Sequence, residues 1–127
     1  MAFHEPNESH MSDLSSNAQR IINARALKVG EPYNYCHQAS LRLMDDLLEE
    51  GIPAQMLRCK GLITDAMHAD IRWLDLGAQS FWVHFIVEVE GHVIDLTRRQ
   101  FFPVSDYPFV QSYEDCQTEW DSVAAKQ

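Results

Sequence analysis

Three side chains in this 127-residue chain have the types and order that nucleophilic catalysis uses. Cys36 lies in YNYCHQASLRLMDDLLEEGI, and His84 and Asp95 lie in FWVHFIVEVEGHVIDLTRRQF. A thiol is a weak nucleophile until it loses its proton, and both the positive end of a helix dipole and a nearby imidazolium favour the thiolate. Cys36 stands where a Leu-rich helix should begin, so both effects are available to it. In this reading His84 takes the thiol proton and returns it to a leaving group. Asp95 holds the imidazole in one tautomer and orientation. The Cys36 backbone N–H, at the helix start, offers an oxyanion donor. Each residue alone has a plainer explanation. A lone cysteine before an apolar helix is most often a small buried hydrophobe. A histidine on a strand is commonly a surface or satisfied core residue, and an aspartate at a strand end commonly serves a turn. The combination favours catalysis, and strand register is the first test of it.

Glu90-Gly91 reads as a tight turn between two strands. With two residues in the turn, Val89 faces His92, Ile86 faces Asp95 and His84 faces Thr97. Facing residues share a side of the sheet, so His84 and Asp95 become diagonal neighbours about 7–8 Å apart or less, within side-chain reach. A four-residue turn keeps this parity, whereas a three-residue turn or a bulge breaks it.

The elements that must carry these residues follow from periodicity. Residues 1–11 read as a loose polar leader, and 12–127 as one catalytic-type domain. A first helix begins near Ser12 or Asp13 as cap, with Leu14, Ala18, Ile21 and Arg25 on one face, and ends before Gly30 and Pro32. A second spans roughly 36–50, with Leu41, Met44, Leu47 and Leu48 as its inward stripe and Gly51-Ile52-Pro53 as its stop. AQMLRCKG is short enough for a strand. Residues 61–79 keep no steady period and read as a long loop, a candidate lid. Phe81–Val89 alternates as the best strand, with Trp82, His84, Ile86 and Glu88 on one face, and His92–Leu96 returns beside it. FFPVSDYPF reads as an extended stretch, and SYEDCQTEWDSVAAK as a short acidic helix. Helices first and strands after indicate an α+β fold, with N-terminal helices packed on a small antiparallel sheet.

Composition narrows the function classes. Hydrophobic residues make up 46% of the chain, enough for a core without metal or disulfide. A formal charge of −9 argues against nucleic acid and anionic membranes, because phosphate binding relies on clustered Lys and Arg. Three cysteines without paired spacing point to a reducing compartment, the cytoplasm, and Cys59 and Cys116 read as structural. The N-terminus lacks a basic, then apolar, secretory pattern, and export by another route stays open. A metal site among Cys36, His37, Cys59, His68 and His84 lacks any CxxC or HxxxH spacing. No metal and no cofactor is therefore expected. His37 should diverge from Cys36 by about 100° around the helix.

The run YCHQASLRLMDDLLEEGIPAQMLRCKG followed by WVHFIVEVEGHVIDLTRRQF resembles the core of transglutaminase-like and papain-like cysteine enzymes, over residues 33–102. There a cysteine opens a helix, a strand follows, and later strands carry the histidine and an "iD.T" motif. The resemblance implies a papain-like or transglutaminase-like core and a thioester-forming enzyme acting on a protein or peptide amide: peptidase, glutamine deamidase or acyltransferase. By position, Cys36 is the nucleophile, His84 the base and Asp95 the orienting acid. The glutamine that papain-like enzymes often place before the cysteine is replaced by GEPYNY at 30–35, so Asn34 or Tyr35 takes the oxyanion or substrate-binding role. Trp82 precedes His84 where the family has a tryptophan after it. Trp82, Trp73 and the 61–79 loop are expected to line the substrate groove, and Arg98-Arg99-Gln100 reads as a solvated strand end or a substrate contact. The competing class is a non-catalytic protein-binding module on the same fold.

Overall fold

The computed structural model describes residues 8–29, 36–62, 83–100 and 104–125. Helix α1 spans Ser16–Val29 and α2 spans Cys36–Glu49. Strands β1 (Ala54–Leu62), β2 (Val83–Val89), β3 (His92–Asp95) and β4 (Phe109–Ser112) follow. Helix α3 (Tyr113–Glu119) then leads directly into β5 (Trp120–Ala125). The fold is α+β: among the described residues, three α-helices and one five-stranded antiparallel sheet of order β4-β3-β2-β1-β5.

Local chemistry explains most boundaries. Helix α1 is capped by Ser15, whose hydroxyl accepts the Ala18 N–H, so the cap lies just beyond the expected Ser12 or Asp13. Those two residues sit in a single 3-10 turn instead. Leu14, Ala18 and Ile21 are buried, and Arg25 at the edge of that face forms a bidentate pair with Asp46 of α2. Helix α2 ends in a Schellman motif: the Ile52 N–H reaches the Leu47 carbonyl, the Gly51 N–H reaches that of Leu48, and Gly51 adopts φ +77°. Its inward stripe is Ala39, Ser40, Leu43 and Leu47, while Leu41 and Leu48 are exposed. The expected stripe is rotated because small Ala39 and Ser40 share the buried face with two of the four leucines of α2, and hydrophobicity alone does not say which leucines turn inward.

Two hydrophobic clusters hold the sheet. One joins α1 and α2 to Val87, Val89, Ile94 and Val110. The other joins Leu57, Cys59, Ile86 and Val93 to Cys116 of α3 and to Trp120. Alternate residues of β2 therefore find apolar cover on both sides. Helix α3 links the two outermost strands. A flat sheet would place those strands about 19 Å apart, while seven helical residues rise only about 10 Å. The sheet must therefore twist and curl around α3.

Four expectations change. Residues 8–11 of the leader are tied to β4, with the His10 N–H on the Val110 carbonyl and the Val110 N–H on Ser9 Oγ. Gly61 and Leu62 belong to β1, and the rest of the expected loop lies outside the described residues, as do Phe81 and Trp82. After Thr97 the chain makes a 3-10 turn at Arg98–Gln100, and the last residue of the expected extended stretch, Phe109, begins β4. The acidic C-terminal segment is helical only to Glu119, after which β5 pairs along β1 from Leu62↔Trp120 to Leu57↔Ala125. The helix also has its own cap: Ser112 Oγ accepts the Asp115 N–H.

Candidate active site

The hairpin is a two-residue turn, with positive φ at both Glu90 and Gly91, as a type I′ turn requires. Val89↔His92 closes it, and Val87↔Ile94 is the last pair of the ladder. His84 lies beyond that paired stretch, at a corner where β3 has ended. There His84 Nε2 hydrogen-bonds Asp95 Oδ2 at 2.8 Å. The other carboxylate oxygen, Oδ1, accepts the Thr97 N–H at 2.9 Å, which turns the chain out of β3 and fixes the acid. Both partners are almost fully buried, at 1% and 4% exposure.

Cys36 is the first residue of α2 and is half-buried. Its position puts it on the same helical face as Ser40, Leu43 and Leu47, the face that packs on the sheet. Its thiol receives the Phe85 N–H and lies within electrostatic reach of the His84 imidazole. Nε2 is engaged by Asp95, so any proton exchange with the sulfur falls to Nδ1. The structure thus brings Cys36, His84 and Asp95 into one contiguous chain of contacts.

The electrostatics follow from this arrangement. Burial opposes ionisation of Cys36, but the His84 imidazole and the Phe85 N–H together hold the thiol below its usual range. Burial likewise opposes the imidazolium. The Asp95 carboxylate, with help from Cys36, outweighs it and pushes His84 up to about 10. Asp95 lies below the usual carboxylate range despite its burial, because His84, Arg98 and the Thr97 N–H favour its anion. Each group therefore favours the charged form of the next: the carboxylate favours the imidazolium, and the imidazolium favours the thiolate.

Two contributors escaped the sequence reading. Trp120 stacks on the His84 ring, with centroids 5.4 Å apart and planes 13° from parallel, and so walls the imidazole off from water. Nothing in WDSVAA marks that tryptophan, because its contact exists only once β5 has joined the sheet. Arg98 is the second. Far from being a solvated strand end, it is buried, forms a bidentate pair with Glu119 at 2.8 and 3.0 Å, and lies over the Phe109 ring. Gln111 donates to the same carboxylate at 2.9 Å. This network ties the turn after Asp95 to the end of α3, immediately before Trp120. Arg99 instead donates to the Ser105 carbonyl.

His37 meets the Phe85 ring edge-on, with ring centroids 4.8 Å apart. Cys59 and Cys116 are both fully buried. Asn34, Tyr35, Trp73 and Trp82 lie outside the described residues. Among the described residues no group of three or more His, Cys, Asp or Glu could hold a metal ion. Nor is any described helix long and apolar enough to cross a membrane. No family model, no curated protein and no solved structure matches the chain.

Proposed function

We propose that this protein is a small cysteine-dependent hydrolase or acyltransferase that acts on a protein or peptide amide through a covalent thioester, on a papain-like or transglutaminase-like core. The observation that carries the reading is the Cys36–His84–Asp95 chain of contacts, with the sulfur at a helix start and below its ordinary pKa. A buried structural cysteine shows the opposite: its thiol is pushed up, as at Cys59.

The chemistry is that of a thiolate paired with an imidazolium. Cys36 Sγ attacks the amide carbonyl carbon and a tetrahedral oxyanion forms. As the C–N bond breaks, the imidazolium of His84 gives its proton to the departing amine. The acyl group then rests on sulfur as a thioester. Water, or an acceptor amine, attacks that thioester while His84 takes the incoming proton. The thiolate leaves, and the imidazolium is restored. Asp95 keeps Nε2 protonated throughout, so that Nδ1 does the proton transfer. The α2 N-terminus supplies backbone N–H groups toward the oxyanion.

Intact-mass analysis of candidate protein substrates, with Cys36→Ala as control, tests the reading. A gain of about one dalton identifies deamidation, fragments identify proteolysis, and an adduct identifies transfer. A Cys36→Ala protein that processes the substrate as well as the wild type removes the mechanism.

A further inference from the structure

We propose that Ser40 is a positioning residue for Cys36, acting by clamping the first turn of α2 onto the main chain of Phe85. The inference rests on the thiolate–imidazolium reading above and adds the device that sets its geometry.

The argument begins with the hairpin. In a two-residue hairpin the closing residues exchange both main-chain hydrogen bonds, and such pairs recur at every second residue. Val89/His92 is therefore bonded, Val87/Ile94 is the next such pair, and Phe85 is the next in line. The ladder stops before it, because the chain turns out of β3 at Thr97, held by Asp95 Oδ1. The Phe85 N–H and C=O still point toward the side that β3 has vacated. There they meet α2. The Ser40 hydroxyl donates to the Phe85 carbonyl at 2.9 Å, and the Phe85 N–H donates to the Cys36 sulfur.

Cys36 and Ser40 are four residues apart, so they stand one above the other on a single helical face. One main-chain residue thus grips both ends of the helix's first turn, and that residue adjoins His84. The spacing between sulfur and imidazole is set by this grip. Ser40 is 3% exposed and sits on a face otherwise built from Ala39, Leu43 and Leu47, where a hydroxyl is useful only if it is bonded. Without it, α2 keeps its apolar packing but loses the contact that fixes how close Cys36 sits to the Phe85 N–H and to His84.

The test is the pH profile of Cys36 alkylation by iodoacetamide, located by peptide mass. In Ser40→Ala the midpoint should rise by about one pH unit, so the rate at pH values well below the wild-type midpoint falls about tenfold. The limiting alkaline rate should be retained, and Ser40→Thr, which keeps a hydroxyl donor, should recover most of the loss. A purely structural serine would lower the melting temperature and leave the midpoint where it was; that result overturns the inference. Should the wild-type midpoint match that of an ordinary thiol, the thiolate–imidazolium reading falls and this one falls with it. A low wild-type midpoint that Ser40→Ala leaves unmoved removes the clamp alone. A variant-free measurement runs in parallel: the Phe85 amide resonance should titrate with the Cys36 thiol at the same midpoint. An amide that stays fixed through the thiol titration also overturns the proposal.

Discussion

Cys36 and Cys59 both lie beside His84, yet they are chemically opposite. Cys59 faces the histidine directly across the β1–β2 ladder. It is fully buried among Leu57, Ile86, Val93, Cys116 and Trp120, and its thiol is pushed up by Cys116 and by burial. Cys36 reaches the same imidazole from a helix start, half-buried, and its thiol is held down. Proximity to a histidine therefore does not make a cysteine reactive. What separates the two is which groups favour the anion: His84 and a main-chain N–H at Cys36, against a second thiol and apolar walls at Cys59.

The largest expected effect tests that contrast directly. Near neutral pH, iodoacetamide should label Cys36 at least about 100-fold faster than Cys59 or Cys116, which react only when the structure opens. Peptide mapping of labelled native protein reads this. Comparable labelling of all three cysteines would erase the distinction.

Next comes Asp95→Asn. It removes the charge that holds up His84 and leaves a buried imidazole facing an amide. The alkylation midpoint of Cys36 should rise by at least about one pH unit. Unfolding free energy should fall by roughly 3 kcal/mol, because one member of a buried ion pair has lost its partner. Chemical denaturation measures the second change. An unaltered midpoint would show that Asp95 has no hold on the thiol.

The pH dependence of stability sharpens the comparison further. His84 is raised in the folded state, so its contribution is complete below about pH 6.5 and is lost as pH climbs through about 10. Cys36 is lowered, so its contribution is lost as pH falls through its folded value and is complete only above about 9. Asp95 is also lowered, and its share is complete above about 3.8 and lost on further acidification. Between the folded value of the thiol and about pH 9 the thiol and the imidazole therefore act in opposite directions. Cys36→Ala removes the rising term, so its stability should decline more steeply across that range than the wild type's, as read from denaturant midpoints. Parallel curves would show that the thiol is not shifted.

The smallest effect belongs to the structural partner. Cys116→Ala should cost about 1 kcal/mol for a small cavity and leave the alkylation profile of Cys36 unchanged. A shift in that profile would mean that the buried thiol pair communicates with the site.

What the sequence by itself determined is whatever local rules govern. Glu90-Gly91 sets the turn type, the turn sets register, and register puts His84 and Asp95 on one side of the sheet. Helix α2 stops at Gly51 for an equally local reason. Strands β4 and β5 were not legible in the same way, because short edge strands owe their existence to a neighbour's free edge more than to their own pattern. The choice of Ala39, Leu43 and Leu47 over Leu41 and Leu48, the burial of Arg98 against Glu119, and the stacking of Trp120 on His84 are likewise tertiary. Each depends on which surface arrives from a distant part of the chain. So does the meeting of Cys36 with His84: local signals can place a thiol at a helix start and an imidazole on a strand, but only packing brings the two together.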